Sequence, residues 1–286
     1  GYDGLIHNEI RDLNGRDVSE IVRRGGTILY SARCMDMHTE EGLERAVKTC
    51  RDNGIDGLVC IGGDGTFRGA IALSRRGINT IGVPGTIDLD IACTEYTIGF
   101  DSACNTAMEA IDKVLDTSTS HERISIIEVM GRNAGYIALW CGIAVGAEDI
   151  LLPEIYDYDE EQIIDHIITT RKKGKRHHII INAEGIGHSQ AMAKRIEAAT
   201  GINARATILG HMQRGGSPTC RDRMYATVMG AMAVDLLAEG KSSRVVAYRD
   251  NDFVDLDFEE ALKMTRNLSE YEVDLAKALS YNISGD

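Results

Sequence analysis

Residues 58–66 read Leu-Val-Cys-Ile-Gly-Gly-Asp-Gly-Thr, a short apolar segment that ends in three glycines around one carboxylate. An apolar segment bounded by glycine predicts a buried strand. Glycines at its carboxyl end allow backbone N–H groups to approach a ligand closely, and Asp64 among them can bind a cation. A backbone cradle for phosphate beside a carboxylate for Mg²⁺ is what nucleotide chemistry needs. The segment therefore predicts a site for a metal-bound phosphoryl donor.

A second loop, residues 84–90, carries the carboxylates Asp88 and Asp90 directly after another apolar segment. Two carboxylates in one loop can take different roles, one at a metal and one as a general base. Both loops also fit a simpler interpretation, because Gly and Asp are common in tight turns that bind nothing. Since the two loops follow successive predicted strands, we favour a shared role in catalysis.

The elements that must hold these loops alternate between apolar, strand-like segments and amphipathic, helix-like ones. The predicted strands are 27–30, 57–61, 80–83, 124–128, 149–152, 178–182 and 245–248, and the predicted helices include 41–53, 66–76, 103–115, 159–173 and 190–200. This alternation predicts parallel sheets covered by helices, and its repetition in the second half of the chain indicates two such units. Ligands bind at the carboxyl ends of strands in such sheets, where the loops 62–66, 84–90, 130–135 and 184–188 follow.

The composition limits the possible partners. Of 286 residues, 44 are acidic and 31 basic, and the net charge of −13 argues against nucleic acid and anionic membranes as main partners. Any phosphate site must therefore concentrate arginine locally. The seven cysteines lack metal-ligand spacing and indicate free thiols in a reducing compartment. No apolar run approaches the roughly 18 residues of a membrane span, so we expect a cytoplasmic protein.

Several further motifs accompany the two loops. Gly-Gly-Asp-Gly-Thr by itself also resembles NAD kinases and diacylglycerol-type lipid kinases. The other motifs are Arg-Gly-Gly-Thr at 24–27, Ser-Ala-Arg at 31–33, Thr-Glu-Tyr-Thr-Ile-Gly-Phe-Asp at 94–101, Ser-His-Glu-Arg at 120–123, Val-Met-Gly-Arg at 129–132 and Arg-Ala-Thr-Ile-Leu-Gly-His-Met-Gln-Arg-Gly-Gly at 205–216. With these motifs in order along nearly its whole length, the chain resembles the phosphofructokinase family.

The resemblance implies two Rossmann-like α/β/α three-layer domains with mainly parallel sheets, and an active site in the cleft between them. Residues 1–99 and 213–262 would form the ATP-binding domain, and residues 100–212 and 263–286 the sugar-phosphate-binding domain. The family's first strand and its Gly-Gly-Asp phosphate loop have no counterpart in this sequence, so the ATP-binding domain is expected to lack its N-terminal strand here.

The resemblance further implies a kinase of glycolysis that transfers a phosphoryl group from Mg-ATP to the 1-hydroxyl of fructose 6-phosphate. Asp88 would be the general base, and Asp64 would hold the Mg²⁺. The catalytic set would be completed by Thr86, Asp90, Arg132 and Arg33. Two alternatives remain open: a catalytically impaired regulatory paralogue, and a kinase of another ketose phosphate such as tagatose 6-phosphate. Leu89 motivates the first, because the family usually has asparagine between the two carboxylates.

Binding residues are inferred from the same motifs. ATP would contact Arg33, Cys34, Gly63, Asp64, Gly65, Thr66 and Gly69. Fructose 6-phosphate would contact Thr86, Ile87, Asp88, Arg123, Met130, Gly131, Arg132, Glu184, Arg205, His211, Met212, Gln213 and Arg214. An effector, ADP or phosphoenolpyruvate, would contact Gly146, Ala147, Glu148, Lys173, Lys175, Arg176 and His177, although the cations of that set also suit a helix C-terminus. Arg123 and Arg205 would act on the neighbouring subunit's substrate, which implies a homotetramer.

Two glycines distinguish between possible phosphoryl donors. Family members that use pyrophosphate resemble Gly-Gly-Asp-Asp, with an extra carboxylate in the α-phosphate position, and tend to carry lysine after the proline of the catalytic loop. Here these positions are Gly65 and Gly85. Because neither has a side chain, room remains for the rest of a nucleotide, which favours ATP as the donor.

Overall fold

The computed structural model describes residues 1–155 and 159–282 and divides the chain into two compact units. Unit 1 comprises Gly1–Gly99 and Gly216–Arg266, and unit 2 comprises Phe100–Gly215 and Asn267–Asp286. Within the described residues, the strands form two four-stranded sheets, one in each unit. Both units are α/β folds, which confirms the predicted fold class.

The elements are numbered in chain order. The strands are β1 (Gly57–Gly62), β2 (Asn79–Pro84), β3 (Ile124–Val129), β4 (Asp149–Leu151), β5 (His178–Ala183), β6 (Ala204–Ile208), β7 (Arg244–Arg249) and β8 (Asp252–Asp257). The helices are α1 (Tyr2–Ile6), α2 (Glu40–Asp52), α3 (Asp64–Ser74), α4 (Phe100–His121), α5 (Tyr136–Val145), α6 (Glu160–Lys172), α7 (Ser189–Thr200), α8 (Cys220–Ala238), α9 (Phe258–Ala261) and α10 (Glu270–Asn282).

The sheet of unit 1 has the strand order β1-β2-β7-β8. The first three strands are parallel, and β8 runs antiparallel to β7. One apolar cluster joins the sheet to α3 and α9, with the rings of Phe67 and Phe258 5.4 Å apart, and a second joins β2 and β7 to Met229 and Ala233 of α8. Helices thus pack on both faces of the sheet, although Val59 and Ile61 of β1 are exposed.

The sheet of unit 2 has the order β4-β5-β3-β6, and all of its strand pairs are parallel. Isoleucines of β3 and β5, including Ile126 and Ile180, pack against α6 and α7, while α4 and α5 also contact the strands. Every residue of β5 is buried. Continuous apolar strands of this kind are typical of parallel sheets covered on both sides.

Some sequence-based element predictions are wrong or incomplete. The predicted strand 27–30 is an exposed turn, in which the Thr27 hydroxyl accepts a hydrogen bond from the Leu29 N–H at 3.1 Å, a local bond that competes with strand pairing. The prediction also missed β6, β8, α5 and α8. Helix α5 is apolar nearly all round, so it lacks the amphipathic period by which a surface helix is recognised.

Two inferences from composition can be compared with the structure. All seven cysteines are free thiols, and five of them, among them Cys60 and Cys93, are buried. Among the described helices, none combines the length and the apolar character needed to cross a membrane.

Candidate active site

The predicted donor site is the junction between β1 and α3. Strand β1 ends at Gly62, and α3 begins at Asp64, with Gly63 as its N-cap. Asp64 and Gly65 are exposed on the first helical turn, and a Cβ added at Gly65 would meet no atom within 4 Å. The first N–H groups of a helix lack intrahelical acceptors and favour anions. The backbone of this junction is therefore suited to bind phosphate, and the exposed Asp64 is suited to bind a cation.

Two other residues predicted to contact ATP lie deeper in α3 and pack against α1. The Tyr2 hydroxyl donates a hydrogen bond to the Thr66 carbonyl at 2.5 Å. A Cβ at Gly69 would lie 2.5 Å from the Tyr2 ring, so close packing alone accounts for glycine at this position. Cys34 packs similarly onto an apolar cluster, whereas the neighbouring Arg33 is exposed.

Loop 84–90, which carries the predicted base, is joined to the predicted donor loop by a backbone hydrogen bond from the Gly85 N–H to the Gly62 carbonyl, at 3.0 Å. Within the loop, the Thr86 hydroxyl accepts a hydrogen bond from the Asp88 N–H at 3.2 Å. Asp88 is 8% exposed, whereas Asp90 lies on the surface. The loop therefore presents one shielded carboxylate and one solvated carboxylate.

Leu89, between the two carboxylates, has a left-handed backbone with φ of 56° and a buried side chain. Asparagine adopts this backbone conformation more readily than leucine does. Leucine at this position is therefore less suited to the backbone conformation than asparagine would be, but it buries an apolar side chain.

Asp222, which the sequence does not single out, holds Gly99 beside the loop of the predicted base. This buried carboxylate accepts hydrogen bonds from the Tyr96 hydroxyl at 2.6 Å and from the Gly99 N–H at 2.7 Å. Gly99 in turn lies against Ile87, because a Cβ there would come within 3.2 Å of the Ile87 side chain. Thr-x-x-Asp at 219–222 is typical of a helix start, and Thr219 does cap α8, so the local sequence gives no sign of a contact with Gly99.

In unit 2, the loop after β3 is held by side-chain acceptors. Gln213, 1% exposed, accepts a hydrogen bond from the Met130 N–H at 2.7 Å, and Glu184 accepts one from the Arg132 N–H at 2.5 Å. Gly131 has φ of 146°, and a Cβ there would lie 2.5 Å from the Ala134 carbonyl oxygen. Gln213 and Glu184, predicted as substrate contacts, therefore also fix the backbone of residues 130–132.

The predicted phosphate-binding cations differ from the predicted effector cations in their pairing. Apart from the half-buried Arg123, the former are exposed: Arg33, Arg132, Arg205, His211 and Arg214, with Met212 beside them. In the part of the chain that the structure describes, none of these five arginines pairs with a carboxylate. Unpaired guanidinium groups are available to bind phosphate oxygens.

Two of the predicted effector cations, Lys175 and Arg176, already pair with carboxylates. Glu148, 2% exposed, forms an ion pair with Lys175 and accepts a hydrogen bond from the Ile179 N–H at 2.5 Å. Arg176 lies 3.0 Å from Glu122. The remaining members are Gly146, which ends α5 with φ of 66°, the buried Ala147, the exposed Lys173 and the half-buried His177.

Comparisons with known proteins identify the family of the chain. A profile of the phosphofructokinase family matches residues 1–237. The chain is 53% identical over 280 residues to an ATP-dependent 6-phosphofructokinase of Clostridium botulinum (strain Loch Maree / Type A3), and the match covers 98% of this chain and 88% of that relative. An enzyme of the same name from Brevibacillus brevis is 54% identical over the same shares of the two chains.

Solved structures extend the likeness to the fold. Phosphofructokinase from Saccharomyces cerevisiae superposes with a TM-score of 0.83 at 30% identity, over 99% of this chain and 42% of that chain. This chain therefore spans less than half of the yeast protein. A pyrophosphate-dependent phosphofructokinase from Marinobacter aquaeolei shares the fold, with a TM-score of 0.76 at 23% identity over 89% of this chain and 74% of its own. The profile match and the identity to the bacterial relatives establish that this chain belongs to the phosphofructokinase family.

Proposed function

We propose that this chain transfers the terminal phosphoryl group of ATP to the 1-hydroxyl of fructose 6-phosphate, giving fructose 1,6-bisphosphate. The bacterial relatives bear the name of that activity. The observation that carries the proposal is the hydrogen bond from the Gly85 N–H to the Gly62 carbonyl, because it keeps the loop of the proposed base beside the loop of the proposed donor.

Asp88 would act as the general base. It takes the proton of the 1-hydroxyl while that oxygen attacks the terminal phosphorus, and the bond from this phosphorus to the leaving oxygen of ADP breaks. A positioned base typically contributes about 10²–10⁴ in rate. Arg33 and Arg132 would stabilise the charge that spreads over the transferring oxygens, and Asp90 and Thr86 would support the polar network of the loop.

The donor would bind at the N-terminus of α3. Mg²⁺ suits a site with one carboxylate, completed by water and phosphate oxygens, and the exposed Asp64 between two glycines offers such a ligand. When bound, Mg²⁺ would neutralise donor phosphate charge. Gly65 leaves space for the remainder of a nucleotide, which supports ATP over pyrophosphate.

Cations of unit 2 would bind the phosphate of the acceptor, since planar guanidinium groups match phosphate oxygens. Arg123, Arg205, Arg214 and His211 would bind the 6-phosphate, and the backbone at 130–132 would contact the sugar. We further propose a cytoplasmic homotetramer in which Arg123 and Arg205 serve the substrate of a neighbouring subunit.

An effector such as ADP or phosphoenolpyruvate would bind near Lys175 and Arg176. Because Lys175 pairs with Glu148 and Arg176 with Glu122, an incoming anion has to compete with these carboxylates. We therefore expect weaker effector binding than from an unpaired cation cluster.

The decisive experiment is a coupled assay of fructose 1,6-bisphosphate formation with ATP or pyrophosphate as the donor. We expect turnover with ATP and little with pyrophosphate. The double variant Gly65→Asp/Gly85→Lys should lose most ATP-dependent turnover, because its new carboxylate occupies nucleotide space. Gly65→Ala is the matched control and should retain it, since its Cβ meets no neighbour.

Three outcomes would contradict the proposal. An inactive full-length protein with either donor indicates a regulatory paralogue. A higher kcat/KM with tagatose 6-phosphate indicates another ketose phosphate as the substrate. Unchanged ATP kinetics in the double variant disprove the steric argument for the donor.

A further inference from the structure

Three side chains of unit 2 bring metal-ligating atoms together away from the proposed active-site residues. Asp149 of β4, His166 of α6 and His178 of β5 each offer one ligand atom, and these atoms lie within 4.8 Å of one another. One Asp149 carboxylate oxygen is 2.6 Å from His178 Nε2, and the other is 3.5 Å from His166 Nδ1. The two imidazole rings meet edge to face, with centroids 5.2 Å apart.

The cluster is largely shielded from water. The side chains of Asp149, His166 and His178 are 16%, 20% and 3% exposed. Asp149 supplies the one carboxylate of the cluster. The other charged groups nearby are Glu148 and Lys175, which pair with each other. Because Glu148 and Lys175 offset each other, the Asp149 carboxylate is the acidic group of the cluster that can attract a cation.

The outward-facing nitrogens of both histidines are buried and lack a partner among the described residues: His166 Nε2 and His178 Nδ1. The Asp149 carboxylate can only accept, so it favours the tautomer that keeps the proton on the facing nitrogen, as at His178 Nε2, 2.6 Å away. Metal binding has to shift that proton to the far nitrogen, to which no described group is hydrogen-bonded, and this shift frees the lone pair that ligation requires. His178 also borders a small cavity with Thr170 and Lys175, where water could accept its Nδ1 proton.

We propose that Asp149, His166 and His178 bind one divalent transition-metal ion of the zinc class, with water completing the coordination. Imidazole nitrogen favours Zn²⁺, Co²⁺ and Ni²⁺ over Mg²⁺, which prefers oxygen ligands. Tetrahedral Zn²⁺, with metal–ligand distances of about 2.0–2.1 Å, needs ligand atoms roughly 3.4 Å apart. The Asp149–His166 separation of 3.5 Å already suits this geometry, and the Asp149–His178 pair has to open slightly.

The ion would join two neighbouring strands to the helix that covers them, because the three ligands come from β4, β5 and α6. Binding to the folded state alone stabilises a protein by mass action. The proposal does not depend on the identity of the phosphoryl donor or acceptor, since it concerns a site of different ligands and a different metal class.

The test is a titration of the chelator-treated full chain with Co²⁺ in excess Mg²⁺, followed by visible absorption. We expect about one equivalent of Co²⁺ to bind with the intense bands of tetrahedral coordination, and Zn²⁺ to displace it. His166→Gln should weaken binding at least tenfold. His38→Gln, which changes an exposed histidine of unit 1, is the matched control and should bind like the unsubstituted chain.

Zn²⁺ should also raise the Tm of the unsubstituted chain and of His38→Gln but not of His166→Gln or Asp149→Asn, so a folding defect in one variant leaves the other informative. Absence of Co²⁺ binding in the unsubstituted chain, or unchanged binding in both ligand variants, overturns the proposal. Sulfur-to-cobalt charge-transfer bands, which would reveal cysteine ligands instead, overturn it as well.

Discussion

The donor loop of unit 1 and the loop after β3 in unit 2 both follow parallel strands and both contain glycine, but glycine serves opposite purposes in them. At Gly65 a Cβ would meet nothing, whereas at Gly131 it would strike the Ala134 carbonyl oxygen at 2.5 Å. The first loop is open, so its backbone N–H groups and the space beside Gly65 are available to a ligand. The second is held by buried acceptors such as Gln213. We infer that the lack of a side chain at Gly65 determines which donor fits. The rigid backbone of residues 130–132 would determine how the acceptor binds.

The largest expected effect concerns the shielded carboxylate of unit 1. Replacement Asp88→Asn should lower kcat by about 10²–10⁴ while changing the KM for fructose 6-phosphate little, because it removes the base and retains the shape. Steady-state kinetics would measure this, with Asp112→Asn on the exposed face of α4 as the control. A raised KM with kcat preserved would assign Asp88 to binding.

The glycine pair tests the comparison directly. Gly131→Ala should lower the free energy of unfolding by about 1–3 kcal/mol, because φ of 146° strains any L side chain and the Cβ has no room. Gly65→Ala should be neutral or stabilise by up to about 1 kcal/mol, since alanine is the better helix former. Thermal unfolding of the two variants would measure the difference. Equal effects at both positions would refute the contrast between the loops.

A smaller effect is expected from Gln213→Leu. The change leaves the buried Met130 N–H without its acceptor, at a cost of about 1–3 kcal/mol. It also removes the buried Gln213 Nε2, which has no hydrogen-bond partner among the described residues. We therefore expect the loss in the free energy of unfolding to lie near the lower end of that range. Chemical denaturation and the KM for fructose 6-phosphate should be measured together. A raised KM with unchanged stability would mean that Gln213 acts by touching the substrate rather than by holding the loop.

Near neutral pH the smallest effect concerns the thiols of unit 1, which influence stability only as the pH rises. Burial raises the pKa of Cys60 and Cys93 to about 11, from an ordinary value of 9. The unfolded chain therefore loses these protons first, and stability present below pH 9 should be lost as the pH rises towards 11. Unfolding at stepwise pH should show a shallower decline in Cys93→Ala.

At pH 8, a thiol reagent should label the exposed Cys220 much faster than Cys60 or Cys93. Equal labelling rates would show that the interior of unit 1 opens readily to solvent. That result would contradict the view that only the loop around Gly65 is accessible.

Sequence reasoning succeeded where periodicity and local chemistry agree. Strands β1 to β5 and β7 were predicted within one or two residues, because apolar runs bounded by glycine or charge are typical of buried parallel strands. It failed at 27–30, where an equally apolar run lies on the surface, and at α5, where apolar residues on nearly every side, including the exposed Trp140, remove the amphipathic pattern. Neither failure can be avoided from the sequence alone, since both depend on what packs against the segment.

The sequence by itself determined the family, the two α/β units and the residue types available for phosphoryl transfer, because these depend on motifs and periodicity that are local in the chain. Only the tertiary structure determined which residues far apart in the sequence contact one another. It brought Asp222 to Gly99 across 123 positions and Gln213 to Met130 across 83, and it gathered Asp149, His166 and His178 from three elements into one cluster. The physical reason is that hydrogen bonds and metal ligation require approach within a few ångströms, which sequence separation does not reveal.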